Sequence, residues 1–225
     1  MRVWITRTYP SARKSTKAFE TAGFDVVTAP LLEVHNLEVT LPEFASDDLL
    51  IFTSQNGLRA YAYQRNTRSH LVITVGDKTA ELARSFGFTD VISASGQSDD
   101  IIKLIKQDDK KEAVFHHLSG DITRGDIVER LSVLGFKAKR HVLYKTQPVQ
   151  SCPIPSLDNI DVVVFHSPLA AQSFATLLTD SSNIVTLSIS KAAAEPVKAR
   201  EKIIADAPNE AAMLRALIAY RENRE

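Results

Sequence analysis

The sequence predicts an α/β protein whose parallel sheets are covered by helices, and three observations carry that expectation. Short β-branched runs alternate with amphipathic stretches from one end of the chain to the other. Residues 49–53 (LLIFT) and 161–165 (DVVVF) are apolar almost throughout, as strands buried on both faces are. Gly23, Gly87 and Gly135 each close an amphipathic stretch where a helix C-cap belongs. Strand–helix alternation of this kind implies crossover connections and helices packed on a parallel sheet.

Taken in order, strand 2–6 leads to helix 11–22, and strand 24–29 follows the Gly23 stop. Strand 49–53 feeds helix 55–64, strand 71–75 feeds helix 77–86, and strand 90–93 feeds helix 98–107. The second half opens with strand 113–118, helix 123–134 and strand 137–143. Strand 161–165 then enters helix 167–178, where Ser167-Pro168 makes an N-cap and first-turn pair. Strand 184–187, helix 192–200, strand 203–205 and helix 209–220 finish the chain.

Composition bounds the function. The 225 residues hold 27 Lys plus Arg against 27 Asp plus Glu, so the basic excess of a nucleic-acid binder is missing. No apolar run approaches the roughly 20 residues of a membrane span, and residues 1–7 read as a strand rather than a signal peptide. A cytoplasmic protein is expected. One cysteine, Cys152, excludes an internal disulfide and a multi-cysteine metal site.

The chain also repeats. Phe52-Thr53-Ser54 matches Phe165-His166-Ser167, and Lys78-Thr79-Ala80 matches Lys191-Ala192-Ala193, both 113 residues apart. Gly23-Phe24 matches Gly135-Phe136 at a spacing of 112. We read a duplication. Two proline-bearing extended stretches, 30–42 and 144–155, look like linkers. If both cross between the same two bodies, domain 1 is discontinuous (1–34 plus 147–225) and domain 2 is inserted (35–146). Two sequential domains meeting at the charged turn 108–111 are the alternative, and periodicity does not choose between them.

Ligands of open parallel sheets bind beyond the carboxyl ends of the strands, where helix N-termini present unpaired N–H groups. Here those ends are small and polar: Thr6-Arg7, Thr53 to Gly57 with Ser54 and Asn56, Gly76 to Thr79 with Lys78, 95–98 with Ser98, Ser119-Gly120, His166-Ser167 and 188–191. Each such Ser or Thr is also an ordinary helix cap. Together they suit an anion-rich ligand. Rival motifs fail. The run 120–125, ending Arg124-Gly125, has P-loop spacing, but Asp126-Ile127 stands where Lys-Ser/Thr is required. No G-x-G-x-x-G follows the first strand, and no G-x-S-x-G is present. His116 and His117 point to opposite faces of a strand, so no shared metal is expected. Tyr144 ends a strand at the entrance to the second linker, where its hydroxyl could donate a proton to a ligand.

These residues resemble the uroporphyrinogen-III synthase family over almost the whole chain. The likeness runs through Ile5-Thr6-Arg7, Ala22-Gly23-Phe24, Ala29-Pro30-Leu31-Leu32, Ile51 to Gly57, Val75 to Ala80 and Gln97-Ser98-Asp99. It continues through Leu118-Ser119-Gly120, Arg124-Gly125, Leu134-Gly135-Phe136, Val142 to Thr146, Phe165 to Pro168 and Ala207 to Glu210. The resemblance implies two flavodoxin-like domains joined by a two-stranded linker, with the discontinuous boundary. It implies closure of the linear tetrapyrrole hydroxymethylbilane to uroporphyrinogen III, with inversion of the last pyrrole ring and loss of water, by an enzyme that uses no metal or organic cofactor; the near-zero charge and linked domains are compatible with a monomer. Tyr144 matches the family's tyrosine, Thr79 a family threonine, and Ser54 and Ser167 its two F-x-S serines. The family's usual Gly-x-Thr-Thr-like turn is replaced by residues 188–193 (SISKAA), which leaves Ser190 and Lys191 as that loop's candidate contacts. A two-domain binding module for a small polyanion is the alternative function.

Overall fold

The computed structural model describes residues 1–94, 96–107, 112–123, 125–154, 156–179 and 181–224. In chain order the elements are β1 (Arg2–Ile5), α1 (Ser11–Thr21), β2 (Asp25–Thr28), β3 (Leu32–Asn36), β4 (Leu49–Phe52) and α2 (Gln55–Gln64). Next come β5 (Leu71–Thr74), α3 (Asp77–Ser85), β6 (Val91–Ser93), α4 (Ser98–Lys106), β7 (Val114–Gly120) and α5 (Ile127–Val133). The remainder is β8 (Lys137–Pro148), β9 (Val162–Phe165), α6 (Pro168–Leu177), β10 (Val185–Ser188), α7 (Lys191–Ala194), β11 (Glu201–Ile204) and α8 (Glu210–Glu222).

The chain divides into two compact units, Met1–Glu33 with Gln147–Glu225, and Val34–Thr146. The first unit is built on a five-stranded sheet in the order β11-β10-β9-β1-β2, with every pair parallel. Alternation along the strands divides its core. Trp4, Val163 and Phe165 pack on one face with Ala170 and Phe174 of α6, while Val3, Ile5, Val162 and Val164 pack on the other with Phe19 of α1 and Met213 of α8. The second unit has the order β3-β8-β7-β4-β5-β6, parallel from β8 to β6. Its two cores hold Leu50, Phe52 and Leu118 with Leu58 and Tyr61 of α2, and Leu49, Ile51 and Phe115 with Ile101 of α4 and Leu131 of α5. Helices on both faces explain why β4 and β9 are buried at every residue.

Sheet order gives the sequence repeat a spatial meaning. Read as β2-β1-β9-β10-β11 and β8-β7-β4-β5-β6, the two sheets match strand for strand. In each, a β-α-β piece from one half of the chain joins a longer strand–helix series from the other half. The Gly-Phe pairs belong to the two β-α-β pieces, where Gly23 and Gly135 adopt φ +84° and +85° after their helices. The F-x-S pairs belong to the two longer series. The repeating halves and the compact units are therefore different partitions of one chain.

Four departures from the expected elements exceed two residues. Helix 123–134 begins only at Ile127, because Gly125 (φ +93°) and Asp126 (φ +40°) hold left-handed backbone that a helix cannot include. Helix 192–200 is cut to Lys191–Ala194 ahead of Pro196, which has no N–H to continue the helical bonding. Strand 137–143 continues to Pro148, so the linker stretch is sheet-paired. Residues 30–42, expected only to be extended, contain β3, which sits beside β8. The turn at 108–111 lies outside the described residues.

Candidate functional site

In each sheet the connections leave in opposite directions on either side of one pair of strands, β1 and β9 in the first unit and β7 and β4 in the second. Such a reversal opens a crevice at the strands' carboxyl ends. Polar side chains gather at both places.

In the second unit, Ser54 follows β4 and caps α2, its Oγ accepting from the Gly57 N–H at 3.0 Å. The same Oγ lies 2.8 Å from the Tyr144 hydroxyl. Two glycines permit this packing. A Cβ on Gly57 would stand 2.5 Å from the Leu118 carbonyl oxygen, and one on Gly120 would stand 2.6 Å from Cζ of Tyr144. Tyr144 is 8% exposed. Burial, helped by the charge of Asp121, raises its pKa above 10.0, while the bond to Ser54 works the other way. The phenol is thus held protonated at neutral pH.

A β-bulge aims the ring. Ser119 pairs with Val142 but Gly120 pairs with Tyr144, so Leu143 is skipped. Leu143 and Tyr144 consequently pack into the same core, although neighbours on a regular strand face apart. The carbonyl of the skipped Leu143 accepts instead from the Leu37 N–H at 2.8 Å. Arg140, on the other face with Ala138, closes the end of β7. Its Nε donates to Ser119 Oγ at 3.0 Å, and its Nη2 donates to the carbonyls of Gly120 at 2.6 Å and Asp121 at 2.7 Å. Beside it, His117 Nε2 lies 3.2 Å from Thr53 Oγ1. Burial and the Arg140 charge lower that imidazole to about 4.

The other expected residues of this unit lie on neighbouring turns. Asn56 is half-buried in the first turn of α2, Lys78 is exposed and Thr79 buried in the first turn of α3. Gln55 Nε2 donates to the Lys78 carbonyl at 2.9 Å and so ties those two turns together. Ser98 is the first residue of α4, whose cap is Gln97. Asp100, in the first turn of α4, accepts from the Gln97 N–H at 2.8 Å in a capping box. Arg124 lies outside the described residues.

In the first unit, Arg7 follows β1 and His166 follows β9, and both reach Glu210 at the start of α8. Glu210 Oε2 accepts from Arg7 Nη1 and from His166 Nε2, each at 3.1 Å. Burial opposes the Glu210 charge, yet bonding from His166 leaves its pKa below 4.5. Burial and the Arg7 charge keep His166 below 6.5 despite Glu210, so it is neutral and its proton sits on Nε2. His166 Nδ1 and Glu210 Oε1 are buried acceptors. Ser167 and Ser190 cap α6 and α7, accepting from Ala170 at 3.2 Å and Ala193 at 3.3 Å, and Lys191 is exposed.

Arg140, His117 and the pairing of His166 with Glu210 belong to these clusters without having been expected there from the sequence. His166 and Glu210 stood inside quoted motifs, but only the fold joins them. Arg140 on its strand carried no signal at all. His116, the neighbour of His117, bonds Asp48 and His141 at 3.0 Å each, so the two histidines do serve different faces. No group of three or more His, Cys, Asp or Glu suited to a metal ion occurs among the described residues. Nor is any described helix long and apolar enough to cross a membrane.

The family model described as "Uroporphyrinogen-III synthase HemD" matches residues 14–215. The chain belongs to the uroporphyrinogen-III synthase family. That family comprises cyclising hydro-lyases of tetrapyrrole biosynthesis, enzymes that act on a small-molecule substrate. Among solved structures, the chain is similar to the uroporphyrinogen-III synthetase of Helicobacter pylori, with a TM-score of 0.69 at 17% identity over 98% of this chain and 99% of that one. It is also similar to a mutant uroporphyrinogen III synthase from the extremely thermophilic bacterium Thermus thermophilus, with a TM-score of 0.54 at 13% identity over 99% of both chains. At those identities the likeness is one of fold. No curated protein sequence matches.

Proposed function

We propose that this member of the uroporphyrinogen-III synthase family closes hydroxymethylbilane with Tyr144 as the proton donor to the departing hydroxyl. The observation that carries the reading is the 2.8 Å contact between the Tyr144 and Ser54 hydroxyls at the strand reversal of the second unit. Ser54 already accepts from the Gly57 N–H. When Ser54 donates to the phenolic oxygen, the phenol's own proton is left for a ligand. Burial, which penalises the phenolate, keeps that proton in place until a leaving group takes it.

The chemistry then balances. The Tyr144 proton passes to the hydroxyl, the C–O bond breaks, and water departs, leaving an electron-poor azafulvene. The substituted α-carbon of the last ring attacks it to give a spiro intermediate. The older bond, from that α-carbon to the methylene of the preceding ring, breaks and leaves a second azafulvene there; the turned ring closes on it through its other α-carbon, whose proton is lost and restores Tyr144. The protein's remaining task is to hold an open chain in a reactive fold. Carboxylates of the substrate suit the N-termini of α2, α3 and α6 and the small polar groups there, Asn56, Lys78, Thr79 and Ser167, while Ser54 serves the substrate through its bond to Tyr144. Arg7, Ser98, Ser119, Arg124, Ser190 and Lys191 complete the proposed contacts. Arg7 and Ser119 act from within the bonded clusters already described. A cytoplasmic monomer is the working form we take, in keeping with the biosynthetic family and the balanced charge.

Incubation with hydroxymethylbilane, followed by oxidation and separation of the uroporphyrin isomers, tests the assignment. Isomer III is expected. Isomer I alone, at the spontaneous rate, would overturn it.

A further inference from the structure

We infer that Arg140 is a positioning residue for Tyr144, acting through the bulged backbone between them and touching neither substrate nor the phenol. The inference rests on the proposed role of Tyr144 as proton donor. Tyr144 reaches Ser54 only because the pairing skips Leu143 between the Ser119–Val142 and Gly120–Tyr144 pairs. A bulge of this kind gives up regular ladder bonding and persists where something else fixes it. A ladder bond in the plane of the sheet and side-chain bonds on the face away from the phenol fix it here. The Asp121 N–H donates to the Tyr144 carbonyl at 3.0 Å, which ties the far side of the bulge to β7. On the face away from the phenol, the Arg140 fork holds Ser119 Oγ and the Gly120 and Asp121 carbonyls together.

Gly120 is the joint between the two sides. Its carbonyl takes Arg140 Nη2, and its Cα lies so close under the phenol that a Cβ would fall 2.6 Å from Cζ and 2.7 Å from Cε2. A shift of a few tenths of an ångström in this peptide moves the ring relative to Ser54. The guanidinium suits the task because its Nε–H and Nη–H donors diverge in one rigid plane, whereas an ammonium is a point. A misplacement of about 1 Å can cost roughly a hundredfold in rate, and a smaller shift a share of that.

The test compares Arg140→Met, Arg140→Lys, Tyr144→Phe and the double variant Arg140→Met/Tyr144→Phe, with tyrosine labelled at Cζ for NMR in the chains that retain Tyr144. In Arg140→Met we expect kcat to fall about tenfold with little change in KM. The Tyr144 resonance should shift, and its titration should move down toward that of an exposed tyrosine. Adding Arg140→Met to Tyr144→Phe should cost no further rate. Arg140→Lys keeps the charge and the fold, and should still shift the resonance. An unmoved Tyr144 signal in both Arg140 variants would overturn the inference, as would additive losses in the double variant. If Tyr144→Phe alone kept full rate, the proton-donor reading would fall instead, and the resonance would still decide whether Arg140 positions the ring.

Discussion

The hydroxyls of Tyr144 and Ser54 meet at 2.8 Å although 90 residues separate them in the chain. Ser54 comes from the first of the repeating halves and Tyr144 from the second, and the swapped arrangement of the sheet is what joins them. Ser167, the repeat counterpart of Ser54, caps α6 in the same way, and its hydroxyl accepts from Ala170.

That difference separates capping from function. Ser54→Ala and Ser167→Ala should each lose about 1 kcal/mol of stability, the usual cost of a lost N-cap. Only Ser54→Ala should also raise the Tyr144 pKa further, because the bond to Ser54 is what pulls it down. Urea denaturation and an ultraviolet tyrosinate titration read the two effects. Equal titrations in the two variants would contradict the pairing.

The glycines make a second contrast. Gly120→Ala must push the Tyr144 ring aside, so ring closure should slow by roughly an order of magnitude or more. Gly57→Ala meets the Leu118 backbone instead and should cost roughly 1–3 kcal/mol of stability. Rate and urea midpoint, measured on both variants, should show the losses falling on different quantities.

Acid should weaken the second unit before it titrates the carboxylates. His117 and His141 are both lowered from 6.5 to about 4, chiefly by burial. As pH falls through 6.5 the unfolded chain therefore takes up protons that the folded chain refuses. Stability present above pH 6.5 is lost toward pH 4, with a slope on the order of 1 kcal/mol per pH unit for the buried His117 and a smaller one for the half-exposed His141, which solvent screens. The urea midpoint followed across that window should fall steadily and should fall less in His141→Asn. A flat profile would mean that neither imidazole is buried as described.

Much of the scaffold was legible because its signals are local. Ser54 before Gln55 marked the start of α2 at the residue where it begins, and Gly23 and Gly135 stopped their helices through a left-handed backbone that other residues disfavour. The repeat was legible too, but matched residues do not say which sheet each copy joins. Tyr144 was visible as a hydroxyl at the end of a strand and as the family's tyrosine, but its contact with Ser54 was not. Strict alternation would have put it on the face opposite Leu143, and a bulge is fixed by the partner strand and by Arg140, neither of which leaves a pattern in the local sequence. The Arg7–Glu210–His166 cluster was hidden for a similar reason, since its members follow β1, precede α8 and follow β9.

The most direct measurement is the rate at which Tyr144→Phe forms isomer III from hydroxymethylbilane, set beside the unaltered chain at equal folded concentration. Loss of a general acid should slow the substitution product by about a hundredfold or more with the fold intact. Isomer III appearing at the unaltered rate would show that the departing hydroxyl draws its proton from somewhere other than Tyr144.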